Sequence, residues 1–277
     1  MTSTLNDKVA IVTGGGSGIG EALSRELARR GARVVVADIA GDAAERVAAA
    51  IADGGGMATA HRVDVTREQD VASLVEETAA VHGRLDYQFN NAGIAIGGDA
   101  RDLALSHWRH VLDVDLYGVL YGTFAAYPIM ARQGFGHIVN TSSGAGLLPL
   151  PFSTPYATAK HAVVGLSLSL RMEGADLGVK VSVVCPGFVR TPIFETATMV
   201  GMPQDTADRR PARVKMVEPA QAARTILDGV ARNRPVIAFP GSVRLAWRIT
   251  CLFPRLADRT APRLVRAVRK NRIEVPI

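Results

Sequence analysis

Tyr156 and Lys160 stand four positions apart in S-T-P-Y-A-T-A-K, at the start of a stretch with helical periodicity. That spacing puts both side chains on one face of a helix, one turn apart. An ammonium beside a phenol favours the phenolate, and a tyrosine whose free pKa is about 10 is thereby drawn toward the range useful for proton transfer. A phenol that gives and takes a proton beside a fixed cation suits the interconversion of an alcohol and a ketone by hydride transfer. The same spacing also describes an ordinary helix surface, so the chemistry rests on what the rest of the chain brings to this pair. His137 and His161 are alternative bases, but neither has a partner in sequence that would orient it.

The first supporting element lies near the N-terminus. Residues 8–13, K-V-A-I-V-T, form a short β-branched run, followed at once by G-G-G-S-G-I-G and then a helical pattern to residue 30. Strand, glycine turn and helix in that order let the backbone come close to a pyrophosphate, which also meets the free N–H groups and positive dipole end of the helix. Gly14, Gly18 and Gly20 supply the turn. A second strand is expected at 33–37, with Asp38 at its end, 18 residues after Gly20. A carboxylate there accepts hydrogen bonds from an adenosine ribose and repels a 2′-phosphate, and neither Ser17 nor Ile39 supplies a cation for such a phosphate. The cofactor expected is NAD rather than NADP.

Four motifs in order, T-G-G-G-S-G-I-G at 13–20, N-N-A-G at 90–93, Ser143 with Tyr156 and Lys160, and P-G-F-V-R-T at 186–191, make the chain resemble the short-chain dehydrogenases/reductases. The resemblance is dense over residues 7–191 and looser beyond. It implies an NAD(H)-dependent oxidoreductase in which Ser143, 13 residues before Tyr156, hydrogen-bonds the substrate oxygen. Tyr156 is then the general acid/base, and Lys160 binds the nicotinamide ribose and stabilises the phenolate. It assigns cofactor contacts to Gly14, Ser17, Gly18, Ile19 and Gly20, to Asp38, to Asp64 and Val65 near the adenine, and to Asn91, Ala92 and Gly93. Pro186, Gly187, Val189 and Thr191 would cover the nicotinamide. Asp64 also has the character of a cap for the helix expected from about residue 67. The family commonly carries an asparagine 24 residues after the second asparagine of N-N-A-G, where its main-chain carbonyl anchors a water leading protons to the lysine; here that position is Asp115. If the main chain does the work, aspartate substitutes for it; if the side chain contributes, the pH dependence changes. The resemblance also implies a homo-oligomer, dimer or tetramer, that pairs its long central helices.

Those elements require an α/β fold: a doubly wound, Rossmann-type, seven-stranded parallel sheet with helices on both faces. Further strands are expected at 57–65, 86–90, 136–141, 179–185 and 235–239, the fourth ending in N-N-A-G and the fifth delivering Ser142 and Ser143 to the carboxyl edge. Residues 95–105 are expected as a loop, with Ser106 as N-cap of a long helix whose apolar face carries Trp108, Val111, Leu112, Leu116, Val119 and Leu120. The 277 residues, 48% apolar and 21% charged, suit one domain over 1–240 and an extension over 241–277. The two cysteines show no C-x-x-C, and no His/Cys cluster has metal spacing, so neither disulfides nor a metal is expected. With residues 1–7 short and polar, and no apolar run of the 18 or so residues a span needs, a cytoplasmic enzyme is expected.

Residues 192–217, weakly periodic and punctuated by proline, are expected to form a substrate lid. With Leu147, Leu148, Leu150, Phe152, Phe188, Ile193, Phe194, Met199 and Met202 nearby, the pocket should be apolar and the substrate a lipophilic secondary alcohol or ketone, of sterol, terpenoid, retinoid or long-chain type. The competing assignment of these residues is to core or interface packing. Residues 236–277 hold nine Lys/Arg against two Asp/Glu, a net of +7, leaving about −1 for everything before them. Arg244, Arg248, Arg255 and Arg259 would share one helical side if Pro254 did not intervene. Packing on a subunit or covering the substrate entrance is favoured for this tail over peripheral membrane contact; nucleic acid is not an expected partner, since no recognition module accompanies the charge. The alternative to an enzyme is a catalytically weak cofactor-binding scaffold or regulator of the same fold.

Overall fold

The structure is a computed structural model, and it describes residues 5–207, 215–253, 255, 262, 265–270 and 272–273. Seven parallel strands form the central sheet: β1 (Val9–Thr13), β2 (Arg33–Asp38), β3 (Met57–Arg62), β4 (Tyr87–Asn90), β6 (Gly136–Thr141), β7 (Val179–Pro186) and β9 (Val236–Phe239). Their order is β3-β2-β1-β4-β6-β7-β9, so the direction of winding reverses between β1 and β4. Every pairing is parallel.

The reason for the fold can be read off β1. Its side chains alternate, with Ala10 and Val12 facing one layer and Val9 and Ile11 the other, as the period of two requires. On the first face they meet Leu23 and Leu27 of α1 (Gly18–Arg29), Val47 and Ile51 of α2 (Gly41–Asp53), and Ile226 and Leu227 of α8 (Pro219–Ala231). On the second they meet Val71 and Leu74 of α3 (Glu68–His82) and Ala126 and Met130 of α5 (Gly118–Gln133). A strand buried on both faces has to be apolar at every position, and β1 is fully buried. A third cluster, under α6 (Thr154–Glu173), joins Val163 to Val183 and Cys185 of β7.

Three expectations are corrected. Residues 95–105 are not all loop: β5 (Ile96–Gly98) pairs in parallel with β8 (Thr198–Val200), a small second sheet that ties this stretch to the expected lid. The lid itself carries α7 (Ile193–Thr196), β8 and a 3₁₀ turn (Gln204–Ala207), while its residues 208–214 lie outside the described residues. Ser106 is not an N-cap, because α4 (Leu105–Leu112) begins one residue earlier and the Ala104 N–H donates to Nδ1 of His107 at 3.1 Å. The predicted long helix is also divided by a π-helical turn at Asp113–Tyr117 between α4 and α5, and Asp115 stands in that turn. α9 (Gly241–Leu252) opens the tail and packs Val243 and Trp247 on the β7–β9 side. Arg244, Arg248 and Arg255 are exposed, and Pro254 and Arg259 lie outside the described residues.

Candidate active site

The reversal of winding between β1 and β4 opens a crevice at the carboxyl ends of those strands, where open α/β sheets bind ligands. Gly14 (φ +62°) and Gly18 (φ +54°) take the left-handed conformation that side chains resist. A Cβ on Gly14 would meet the Ala92 Cα at 2.8 Å, and one on Gly20 would collide with the Gly14 carbonyl oxygen. The glycine turn is therefore packed directly against N-N-A-G. Ser17 precedes α1 without a side-chain capping bond, so the first-turn amides at Gly18, Ile19 and Gly20 keep their donor character for an anion. Thr191 closes the far side: a Cβ on Gly18 would lie 3.0 Å from its methyl group.

Asp38 fastens the turn as well as facing the crevice. It accepts the Gly16 N–H at 2.9 Å and the Ala40 N–H at 3.0 Å, and carboxylate oxygens retain lone pairs for ribose hydroxyls after such bonds. Arg46, unmarked by any motif, reaches the Gly16 carbonyl at 2.7 Å and pairs with Glu21 at 3.0 Å. That cation is thus already matched by an acid. Asp64 accepts the Thr66 N–H at 3.0 Å and its hydroxyl at 2.8 Å, bonds that hold its carboxyl below the usual range. It fastens its own turn and does not cap α3, whose boundary residue is Arg67; Val65 beside it packs against Gly118. The Asn91 carboxamide donates to the carbonyls of Thr13 at 3.2 Å and Gly14 at 3.4 Å, so its side chain stitches β4 to the glycine turn. Asn90 does the same one layer deeper, bonding Thr123 and Asn140.

On the other side of the crevice, β6 leads into Ser142 and Ser143. The Ser142 hydroxyl donates to the Lys160 carbonyl at 2.7 Å, the scaffold role expected of it. Ser143 Oγ accepts the Ala145 N–H at 3.1 Å, which fixes its orientation, and the hydroxyl lies near enough to the Tyr156 phenol to favour its ionised form. Pro155 occupies the first turn of α6, where its missing N–H costs nothing, and the helix then presents Tyr156 and Lys160 together. Lys160 Nζ lies 5.5 Å from the centroid of the Tyr156 ring and donates to the Thr141 carbonyl at 3.2 Å. Ser143, Tyr156 and Lys160 are therefore brought together.

Asp115 joins them through its side chain. Its carboxylate is fully buried; Oδ1 accepts the Ile94 N–H at 2.8 Å, and Oδ2 sits 3.2 Å from Lys160 Nζ in an ion pair without a directed hydrogen bond. Gly93 makes room for this pair, since a Cβ there would stand 3.3 Å from Nζ and 3.4 Å from Oδ1. The side chain is thus no bystander beside the main-chain oxygen. The pair also changes the electrostatics foreseen for the phenol. Burial raises Tyr156 above its ordinary value; Lys160 pulls it down, and the Asp115 carboxylate pushes it up again. Burial likewise raises the Asp115 carboxyl, against the pull of Lys160. Burial lowers Lys160, but Asp115 and Tyr156 outweigh it and leave the ammonium raised.

The segment after β7 completes the crevice. Val189 bridges Val217 through the neighbouring amides, with Arg190 N–H donating to Val217 and Val217 N–H to Phe188, so the peptide groups of Val189 itself face away from that bridge. Gly187 N–H bonds the Phe239 carbonyl at 2.7 Å, holding the turn that begins at Pro186. Phe188 and Phe194 stack at 6.0 Å. Of the apolar residues expected in a pocket, Leu147 and Leu148 instead pack into the β7 cluster, and Leu150 is exposed. A different set, Ile94, Ile96, Leu103, Leu116 and Val200, shares one apolar cluster with Tyr156. The histidines serve elsewhere: His137 bonds Ser182 at 2.8 Å and burial drives it down to about 3, while His161 bonds the Ala157 carbonyl. Among the described residues no three His, Cys, Asp or Glu side chains converge as a metal site.

The family model for short chain dehydrogenase matches residues 8–199. The chain is 38% identical over 220 residues to a cyclohexanol dehydrogenase of Acinetobacter sp. (strain SE19), covering 75% of this chain and 87% of that protein. It is also 38% identical over 230 residues to a cis-4-hydroxycyclohexanecarboxylate dehydrogenase of Sinomonas cyclohexanicum, covering 82% and 90%. Among solved structures, a short chain dehydrogenase/reductase from Burkholderia phymatum in complex with NAD superposes with a TM-score of 0.83 at 30% identity, covering 91% of this chain and 95% of that one. With the glycine turn, the serine–tyrosine–lysine cluster and the strand order all in place, the chain belongs to the short-chain dehydrogenase family.

Proposed function

We propose that this protein is an NAD-dependent dehydrogenase that interconverts an apolar secondary alcohol, borne on a ring, and its ketone. The observation that carries the reading is the convergence of Ser143, Tyr156 and Lys160 at the carboxyl end of the sheet, beside a glycine turn with uncapped helix amides. The turn residues Gly14 to Gly20 would hold the pyrophosphate and Asp38 the adenosine ribose. Asp64 and Val65 would lie at the adenine. Asn91, Ala92 and Gly93 would line the cofactor through their backbone, and Pro186, Gly187, Val189 and Thr191 would face the nicotinamide amide. When bound, the nicotinamide accepts or supplies a hydride at its ring. Ser143 holds the substrate oxygen by its hydroxyl. Tyr156 takes the alcohol proton during oxidation and returns it to the oxygen during reduction. Lys160 stabilises the ionised phenol, with Asp115 setting how much of the ammonium's field the phenol receives.

The choice of a ring alcohol follows from the cyclohexanol and hydroxycyclohexanecarboxylate dehydrogenases among the relatives and from the apolar side chains around Tyr156. It narrows the lipophilic range to its alicyclic part, including terpenoid and sterol alcohols. Residues 1–240 would be the catalytic unit and 241–277 its extension, in a homo-oligomer formed through the outer face of α5 and the π-helical turn before it, where Phe124 and Tyr117 are exposed. Both cysteines are free, which suits a reducing cytoplasm. Among the described residues no helix is long and apolar enough to cross a membrane.

The test is a panel of cyclohexanol, substituted cyclohexanols, a monocyclic terpenoid alcohol and a sterol, each with NAD and with NADP, followed at the absorbance of the reduced nicotinamide. The expected result is turnover of ring alcohols with NAD and at least ten times less with NADP. Equal use of both cofactors would defeat the assignment to Asp38, and absence of nucleotide uptake by folded protein would defeat the whole reading.

A further inference from the structure

β5 and β8 are three residues each, too short to hold together on their own, since even a full two-stranded hairpin is marginal in water. Yet this small sheet forms a wall of the site: Ile96, Val200 and Tyr156 belong to one apolar cluster, and Gly98 N–H bonds the Phe152 carbonyl at 2.8 Å, just before α6. The strands are parallel, so their carboxyl ends lie side by side, with Gly98 opposite Val200. The next residues along are Asp99 and Gly201, and the C-terminal tail bonds both. Arg269 Nε donates to Asp99 Oδ2 at 2.7 Å, and the Ile273 N–H donates to the Gly201 carbonyl at 2.9 Å. Three residues beyond Asp99, Arg272 grips Asp102 with two bonds, at 2.8 and 2.6 Å.

We propose that Arg269 and Arg272 are positioning residues that latch the β5–β8 wall against Tyr156 and so set the affinity for the alcohol, an inference that rests on the dehydrogenase reading for its consequence but not for its geometry. The two acids are nearly closed off from solvent, at 1% and 5% side-chain exposure. A carboxylate so placed is costly without its cation, so loss of the arginine drives the acid, and the loop that carries it, toward water. Asp99 retains Arg101 as a second partner at 3.0 Å, whereas no acid–base pair but the one with Arg272 is found for Asp102 among the described residues. Arg272 is therefore the more important of the two. The latch also gives the basic tail a purpose on its own molecule: four of its bonds go to a part of the chain that is otherwise slightly acidic.

The test uses the full-length protein with Arg269→Ala and Arg272→Ala together, the swapped pair Asp102→Arg with Arg272→Asp, and Arg266→Ala as a tail control outside the latch. Amide hydrogen exchange of residues 96–103 and 198–202 is read first, because it needs no turnover. The double variant should lose protection there by tenfold or more, with residues 9–20 unchanged, and the swapped pair should regain part of it. With a ring alcohol that is turned over, KM for the alcohol should rise about tenfold in the double variant, with KM for NAD held within twofold. Unchanged exchange in the wall overturns the latch. Lost protection with an unchanged alcohol KM overturns its role in the site and leaves the arginines as stability elements alone. Failure of the dehydrogenase reading would instead appear as no turnover and no nucleotide uptake in the unmodified protein.

Discussion

The two walls of the crevice are built on different principles. The side proposed for the nucleotide, from Gly14 to Asp38 and across to Asn91, is made of backbone: absent side chains, uncapped helix amides, and carboxamides bonded to carbonyls next door. Its contacts are with neighbouring strands, and nearly every residue is fixed by steric necessity. The substrate side is made of side chains and ion pairs, with a two-stranded sheet held by residues 170 positions away. A wall of the first kind suits a ligand that never changes, because any added atom collides. A wall of the second kind can be refitted by changing a few side chains, which suits one fold that serves many substrates.

Tyr156 stands at the seam, and its loss should have the largest effect. Tyr156→Phe removes the proton carrier and leaves both walls intact, so kcat should fall by roughly 10² to 10⁴-fold with nucleotide affinity unchanged. Steady-state rates beside a nucleotide titration check it, and a variant that keeps a tenth of its activity would remove the phenol from the chemistry. Next is Gly20→Ala, which breaks the nucleotide side alone. The added methyl meets the Gly14 carbonyl and costs about 1 to 3 kcal/mol. Thermal melting should drop by roughly 2 to 10 °C and nucleotide affinity should fall tenfold or more. Wild-type affinity would mean that the turn is more pliable than its packing indicates.

The smallest effect concerns Asp115, which touches both sides. Its carboxylate pushes the Tyr156 phenol upward. Asp115→Asn removes that push, so the phenolate forms at lower pH and the rising limb of alcohol oxidation should move acidward. Lys160 simultaneously loses the partner that raised it, while burial still lowers it, so the ammonium should give up its proton earlier on the alkaline side. Folding and peak activity should survive. Full pH–rate profiles of both proteins decide the matter, and superimposable profiles would mean that the phenol does not feel the carboxylate.

The same contrast explains what could be read in the sequence. The parallel sheet, the glycine turn, Asp38 and the Ser143–Tyr156–Lys160 cluster were legible because each rests on local pattern: a β-branched run, a glycine spacing, a four-residue step on a helix. Boundaries shifted where a competing local bond existed, as with His107 taking over from Ser106 at the start of α4. The π-helical turn left no mark in the hydrophobic pattern, since it displaces the ladder without removing an apolar position. Asp115 was noticed as a departure, but its contact with Lys160 depends on how the π-helical turn sits against α6. The pairing of β5 with β8 escaped because three-residue strands carry too little alternation to be seen. Asp99, Asp102, Arg269 and Arg272 had one collective signal, a basic tail following a slightly acidic body, and nothing in that imbalance says which arginine meets which acid.

The long reach of the Arg269 and Arg272 contacts also orders events in time. Everything that packs the glycine turn, Thr191 and α8 included, has been made by residue 231, but among the described residues Asp102 meets its countercharge only at residue 272. The crevice should therefore become competent for nucleotide well before it can discriminate among alcohols, and the last residues to appear would give the protein its selectivity.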